Sequence, residues 1–289
     1  MSRPKISIIT VVYNNLAGLQ KSLPSVLGQD FDDFEYIVVD GASTDGTAEY
    51  LRSQTDSRLR FISEPDKGIF DAQGKGLRMA QGQFATYLDS GNWYVDATVL
   101  SRVAQTLTED TQFISMPYIH EKKQGETLKW KVARPDPDPE HLYLAFDLFL
   151  HSAFARRELL AEYISEAQKY KCSGDHALVL KMYTEGVRLE VGNIVTVYFE
   201  DGGVSSDPRK IAYREDRQIA MAHGVPAAKA WLVYLKRMTQ FNVLVLLRKL
   251  GVDNAVRRLA GKSPDLKLEQ IMQAYCDPFH PWFTEECRP

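Results

Sequence analysis

Between residues 6 and 89, runs of apolar and β-branched residues alternate with stretches whose apolar positions recur at helical spacing. ISIITVVY at 6–13 is apolar at almost every position, the pattern of a strand buried on both faces. Leu16 to Leu27 follows with a 3.6-residue period, which predicts a helix. FEYIVVD at 34–40 predicts a second buried strand that ends in an acid, and Thr47 to Ser53 a helix after a Gly/Ser/Thr/Asp turn. Leu59 to Ser63 predicts a short third strand, Asp71 to Gln81 a helix, and FATYLD at 84–89 a fourth strand. Strand–helix alternation at this spacing implies a parallel sheet covered by helices. In such sheets ligands gather at the carboxyl ends of the strands. The polar clusters fall there: Tyr13-Asn14-Asn15, Asp40-Gly41, Glu64-Pro65-Asp66 and Asp89-Ser90-Gly91-Asn92.

The pattern changes downstream. ARPDPDPEH at 133–141 is rich in proline and acid and predicts a loop. FDLFLHSAFARRELL then runs from an apolar segment into a helix, residues 175–186 read as helical, and 189–199 as strand. Past Ser206 the strand signal ends. Two or three helices fill 208–262, followed by an irregular tail. The division is therefore an α/β domain over 1–206 and a helical extension over 207–289.

Composition narrows the class. The chain has 289 residues, 44% hydrophobic and 25% charged, enough to bury a sizeable core without covalent staples. A formal net charge of −3 gives no reason to expect nucleic acid as a partner. Cys172, Cys276 and Cys287 form no CxxC pair and no zinc spacing, so reduced thiols of a cytoplasmic protein are the simplest reading. No signal-peptide pattern precedes the first strand, and no apolar run is long enough to span a bilayer.

Four segments, in fixed order over roughly residues 5–205, resemble family 2 glycosyltransferases. They are SIITVVYNN; VVDGASTDGT at 38–47; EPDKGIFDAQGKG at 64–76 with YLDSGNWY at 87–94; and a later set of His151, Gly174-Asp175 and DGGVSS at 201–206. The resemblance implies a GT-A fold with a Rossmann-like mixed sheet. It also implies an enzyme that moves a sugar from a nucleotide-diphosphate donor to an acceptor hydroxyl with inversion, in assembly of a bacterial surface polysaccharide. The acceptor would be a glycan or lipid-linked glycan.

The chemistry gives each segment a task. The base of the donor needs a face to pack on and an acceptor for its imide N–H, which the Asp40 carboxylate can supply. The resemblance places Thr10 and Tyr13 beside it, although Thr10 also reads as a packed strand residue and Asp40 as a turn or cap residue. Ser43, Thr44 and Asp45 read as helix-capping residues. Asp66 is a candidate for the nucleotide site. Lys75 is either a diphosphate contact or a solvated helix lysine, and the family's usual Asn is Gly74 here.

GT-A enzymes carry an acidic DxD-type motif after the fourth strand, in which one acid faces the ribose and another holds Mn²⁺ or Mg²⁺ on the phosphates. Here it reads Asp89-Ser90-Gly91-Asn92, so metal binding would fall to Asp89, with an amide oxygen from Asn92. Asp175 matches the family's catalytic base, a carboxylate that takes the proton of the attacking hydroxyl. The other reading of Asp175 is a helix cap. His151 would contact phosphate or acceptor, or be a core histidine. DGGVSS would approach the phosphates or form a lid, or be a plain turn.

Residues 225–262 carry eight Lys or Arg against one acid, Asp253, among Leu, Val, Trp and Phe. Basic amphipathic helices of this kind lie on anionic membrane surfaces, which would make the protein peripheral on the inner face of the membrane. A helical subdomain packed on the core and a dimer interface are the alternatives. Loss of a carboxylate at Gly91 and Asn92 motivates one rival function, a non-catalytic nucleotide-sugar-binding or scaffold protein. A nucleotidyltransferase or dehydrogenase is disfavoured, because VVYNNLAG stands where a glycine-rich phosphate loop would follow the first strand.

Overall fold

The computed structural model describes residues 3–124, 127–136, 138–144, 148, 150–200 and 209–249. The first part of the chain alternates as expected: β1 (Ile6–Val12), α1 (Leu16–Leu27), β2 (Phe34–Asp40), α2 (Thr47–Arg52), β3 (Leu59–Ser63), α3 (Ile69–Met79) and β4 (Phe84–Tyr87). There follow β5 (Trp93–Tyr94), α4 (Val99–Thr106), β6 (Phe113–Ser115), β7 (Tyr118–Gln124), β8 (Thr127–Ala133) and α5 (Pro139–Leu144). A 3₁₀ turn at Leu150–Ser152 leads into β9 (Ala153–Arg156), α6 (Arg157–Ala167), α7 (Gly174–Thr184), β10 (Leu189–Val191) and β11 (Val197–Phe199). Helices α8 (Arg209–Ala222) and α9 (Ala227–Lys249) complete the described chain.

Seven strands form one sheet in the order β10-β6-β9-β4-β1-β2-β3. Every neighbouring pair is parallel except those made by β9, which runs antiparallel to both β4 and β6. The sheet is therefore mixed, as the family resemblance implies. The reversal of β9 brings the start of that strand to the edge where β1–β4 end. A second sheet, β5-β11-β7-β8, packs beside it.

All seven residues of β1 and of β2 are buried, which is why both read as unbroken apolar runs. On one face Ile6, Ile8 and Val12 meet Leu19, Leu23 and Val26 of α1 and Val99 and Val103 of α4. On the other, Ile9, Val11, Ile37 and Val39 meet Phe70 and Leu77 of α3, Leu160 of α6 and Leu178 of α7. At the amino end of β2 the buried Glu35 carboxylate accepts hydrogen bonds from Ser7 Oγ at 2.7 Å, Gly82 N at 3.1 Å and Arg60 Nη1 at 3.0 Å. These bonds compensate its burial and tie β1, β2, β3 and the α3–β4 turn together, away from the carboxyl edge.

Two expectations are corrected. The loop expected at 133–141 is shorter, because β8 ends at Ala133 and α5 begins at Pro139, proline being well suited to a helix's first turn. The single strand expected over 189–199 is two strands in different sheets, β10 beside β6 and β11 beside β7. The hairpin β7–β8, paired from Tyr118↔Ala133 to Gln124↔Thr127, occupies a region for which the sequence pattern named no element. The proposed division at 206/207 and the DGGVSS segment lie outside the described residues, as do Cys276 and Cys287. Among the described residues no helix is long and apolar enough to cross a membrane.

Candidate functional site

The ends of β1, β2, β3 and β4 converge at one edge of the large sheet. Asp40, the last residue of β2, is fully buried. Its carboxylate accepts hydrogen bonds from Ser43 N at 3.1 and 3.3 Å and from Ser63 Oγ at 2.6 Å. The turn that delivers Ser43 holds Ala42 at a φ of 61°, a left-handed conformation unusual for a residue with a Cβ. Gly41 is required by space. A Cβ there would stand 2.5 Å from Asp66 Oδ2 and 3.2 Å from the Tyr13 ring. Tyr13, Gly41 and Asp66 therefore meet, each from a different strand end. Tyr13 is 60% exposed and keeps a ring face open to a planar ligand.

The STDGT turn does more than cap one helix. Asp45 Oδ2 accepts from Leu16 N at 2.8 Å, while Oδ1 accepts from Thr47 Oγ1 at 2.6 Å and Thr47 N at 3.2 Å. Burial would raise this carboxyl, and the Thr47 and Leu16 donors outweigh it, holding Asp45 below the ordinary value. Ser43 Oγ accepts from Asn14 N at 2.8 Å, and Asn14 Oδ1 accepts from Thr44 N at 2.8 Å. The turns after β1 and β2 are thus fastened to each other, which fixes Tyr13 against Gly41.

Three of the sequence-predicted residues are occupied otherwise. Thr10 is buried in the core, donating to Leu88 O at 2.5 Å and accepting from Tyr36 Oη at 2.9 Å, so it stays a packed strand residue and lines no open face. Lys75 Nζ donates to Pro65 O at 2.6 Å and pairs with Glu64 Oε1 at 2.9 Å. It clasps the loop that carries Asp66 and does not stand free toward a diphosphate. Asn92 is buried, and its Oδ1 accepts from Glu200 N at 3.3 Å, closing the Asp89–Asn92 turn onto the end of β11. Its amide oxygen is not presented to a metal. The Gly74 departure also has a local cause, since a Cβ there would meet Gln168 Nε2 of the adjoining α6–α7 segment at 2.6 Å.

Asp89, two residues past β4, faces His151 from the 3₁₀ turn before β9, with Oδ2 3.1 Å from His151 Nδ1. Its Oδ1 is buried and has no hydrogen-bond partner among the described residues. Burial pushes the Asp89 carboxyl up, against the opposing pull of His151 and the Gln73 amide. Asp175 lies in the first turn of α7, where its Oδ1 accepts from His176 N at 2.9 Å. Burial pushes its pKa up to about 6, with Asp216 raising it further and His151 and His176 pulling it down. The start of α7 fits tightly, for a Cβ at Gly174 would stand 2.4 Å from Ala167 O and 2.6 Å from the Phe70 ring. His151 thus meets the acid after β4 directly and lowers the pKa of the acid opening α7.

Among the described residues no cluster of three His, Cys, Asp or Glu could enclose a divalent cation. The unpartnered Asp89 Oδ1 does fit an ion that draws its remaining ligands from phosphate oxygens and water, as Mg²⁺ commonly does. Sequence reasoning missed Gln73 beside Asp89 and the pair Glu215-Asp216 behind Asp175. Gln73 sits in a matched segment and was within reach of a closer look at buried polar positions on α3, while no motif marks Glu215 or Asp216.

Comparison with known proteins gives the same direction. The profile described as Glycosyl transferase family 2 matches residues 7–164. An uncharacterized glycosyltransferase of Mycobacterium tuberculosis is 33% identical over 108 residues, covering 37% of this chain and 41% of that protein. The chain thus matches about two fifths of that relative's length. Staphylococcus aureus TarS 1-349 in complex with UDP superposes with a TM-score of 0.58 at 19% identity, covering 93% of this chain and 78% of that one. The mannosyltransferase PcManGT from Pyrobaculum calidifontis, in complex with GDP-Man and Mn²⁺, does so at 0.57 and 19%, covering 94% and 80%. Both likenesses establish the GT-A fold.

Proposed function

Because the chain belongs to glycosyl transferase family 2, we propose that it transfers a sugar from a nucleotide-diphosphate donor to an acceptor hydroxyl, inverting the anomeric carbon. The observation that carries this reading is the Asp89–His151 pair at the carboxyl edge of the sheet, the edge that also holds the Tyr13–Gly41–Asp66 cradle, with Asp175 within electrostatic reach of His151. The Tyr13 ring offers a face to the base, and Asp40 and Asp66 supply carboxylate acceptors for base and ribose N–H and O–H groups. A divalent cation held by Asp89 would offset the charge of the leaving diphosphate. Asp175, with a pKa near 6, is a stronger base than an ordinary carboxylate and is still ionised at neutral pH. It takes the acceptor's proton as the oxygen bonds to the anomeric carbon and the bond to the diphosphate breaks. His151, with Nδ1 3.1 Å from Asp89 Oδ2, orients Asp89.

The acceptor class follows the family expectation, a glycan or lipid-linked glycan of a bacterial surface polysaccharide, with the protein peripheral on the inner face of the membrane. Helix α9 supports that placement, since Leu232, Leu235, Val243 and Leu246 are exposed along it beside Lys236.

The test is calorimetric titration with UDP, GDP, CDP and dTDP, with and without Mn²⁺, followed by transfer or slow donor hydrolysis with sugars of whichever nucleotide binds. Binding of one nucleotide and base-dependent turnover lost in Asp175→Asn support the proposal. Failure to bind any of the four nucleotides refutes it, and binding with no turnover in any metal favours a nucleotide-sugar-binding protein.

A further inference from the structure

Helix α8 lies beyond the segment matched to the family, yet it touches both sides of Asp175. The three residues before α7 turn their backbone N–H groups to one side chain. Glu215 Oε1 accepts from Lys171 N at 2.9 Å, and Oε2 accepts from Cys172 N at 2.8 Å and Ser173 N at 2.9 Å. Ser173 precedes α7 and makes no side-chain cap of its own; its hydroxyl donates instead to Ala212 O of α8 at 3.3 Å. On the far side of Asp175, the buried His176 ring has Nδ1 3.1 Å from Asp216 Oδ1 and Nε2 2.8 Å from Leu142 O. Asp216 Oδ2 in turn accepts from Arg237 Nη1 of α9 at 2.7 Å. Two consecutive acids of α8 therefore hold residues 171–173 and residue 176, leaving Asp175 between them.

This is more than packing of one helix on another. Three consecutive N–H groups converging on one carboxylate form charge-assisted bonds that fix the direction in which the chain enters α7. Among the described residues, the one hydrogen bond to the Asp175 carboxylate is that from the next residue's N–H to Oδ1. The direction of its carboxylate is set by that turn.

We propose that Glu215 and Asp216 are positioning residues for the base Asp175, so that the helical extension completes the catalytic half of the site. The proposal rests on the assignment of Asp175 given above. A base displaced by about 1 Å loses about 100-fold in rate without loss of donor binding, and the nucleotide cradle at β1–β3 lies on elements that α8 does not hold.

The experiment uses the full chain with Glu215→Ala, Glu215→Gln, Asp216→Asn and Asp175→Asn in parallel. Binding is measured for the nucleotide among UDP, GDP, CDP and dTDP that the unaltered protein takes. Turnover is measured as hydrolysis of the matching nucleotide sugars, with water as acceptor. Glu215→Ala and Asp216→Asn should lower kcat about 10- to 100-fold with nucleotide affinity and donor KM within about twofold of the unaltered protein. Glu215→Gln keeps one acceptor oxygen and should fall between Ala and Glu. Unchanged kcat in Glu215→Ala overturns the proposal, as do parallel losses of nucleotide affinity and kcat in both Glu215 variants, which would mark a purely structural role. Undiminished turnover in Asp175→Asn instead overturns the assignment of the base, a separable result.

Discussion

Replacing Asp175 with Asn should remove activity and make the protein more stable. Burial lifts the Asp175 pKa from 3.8 to about 6, so the folded state binds its proton more tightly than the unfolded chain does. At about 1.4 kcal/mol for each tenfold change in proton affinity, keeping this carboxylate ionised in the fold costs up to about 3 kcal/mol. Its partial exposure makes that an upper bound. The sign is opposite to that of a salt-bridged acid. A raised carboxyl pKa contributes nothing unfavourable below about pH 4, where both states are protonated, and its full cost appears above about pH 6. Asparagine retains the oxygen that accepts from His176 N and carries no charge, so the cost should vanish. Urea unfolding of Asp175→Asn beside the unaltered protein, from pH 4 to pH 8, reads the difference directly. The variant should gain about 1–3 kcal/mol at pH 7.5, and the gain should shrink toward zero near pH 4. A variant no more stable at pH 7.5, or one stabilised equally at every pH, refutes the reasoning. In the first case the carboxylate is compensated by a partner; in the second the gain has nothing to do with its charge.

The same group sets the activity profile: donor hydrolysis should fall as pH drops through about 6, and His151→Gln, by removing a neighbour that lowers Asp175, should move that limb upward. A limb that stays or moves down contradicts the coupling. Gly41→Ala forces a Cβ to within 2.5 Å of Asp66 Oδ2 and 3.2 Å of the Tyr13 ring, and calorimetry should show nucleotide affinity reduced at least about tenfold with the unfolding midpoint little changed. Asp45→Ala frees donors at the starts of two helices, Leu16 N and Thr47 N, and should cost about 1–2 kcal/mol in urea unfolding. Leu232→Ser with Leu235→Ser on α9 should weaken co-sedimentation with vesicles of anionic phospholipid and leave nucleotide binding intact. Equal sedimentation of variant and unaltered protein removes that helix face from the membrane reading.

The strand-end edge to which the proposal assigns the donor was legible because local sequence carries it. Each of β1, β2, β3 and β4 announces its end by the change from apolar to polar residues, and parallel strands bring those ends together whatever their order. The boundaries of β1, α1, β2 and β3 fall within a residue or so of the pattern for the same reason. Side-chain direction was not legible, because it depends on which face of the strand meets which helix. Thr10 shares its face with Ile8 and Val12 and so points into the core, and the opposite face of β1, with Ile9 and Val11, is buried as well. Lys75 and Asn92 have the chemistry expected of ligand contacts, but Glu64, Pro65 and Glu200 claim them first.

The surroundings of Asp175, the proposed acceptor half, are assembled at longer range. Asp175 owes its environment to α6, to the turn before β9 and to α8, which holds it through Glu215 and Asp216 some forty residues later in the chain. No periodicity records that two adjacent acids on a polar helix face inward. What the sequence does record is a charge pattern with a consequence: an extension rich in basic residues supplies, from the acidic pair at 215–216, carboxylates to the backbone and histidine that flank Asp175. Arg237 then ties Asp216 to α9, whose outer face exposes Leu232, Leu235 and Leu246. The helix that presents an apolar surface outward is therefore two hydrogen-bonded contacts from the turn that aims Asp175.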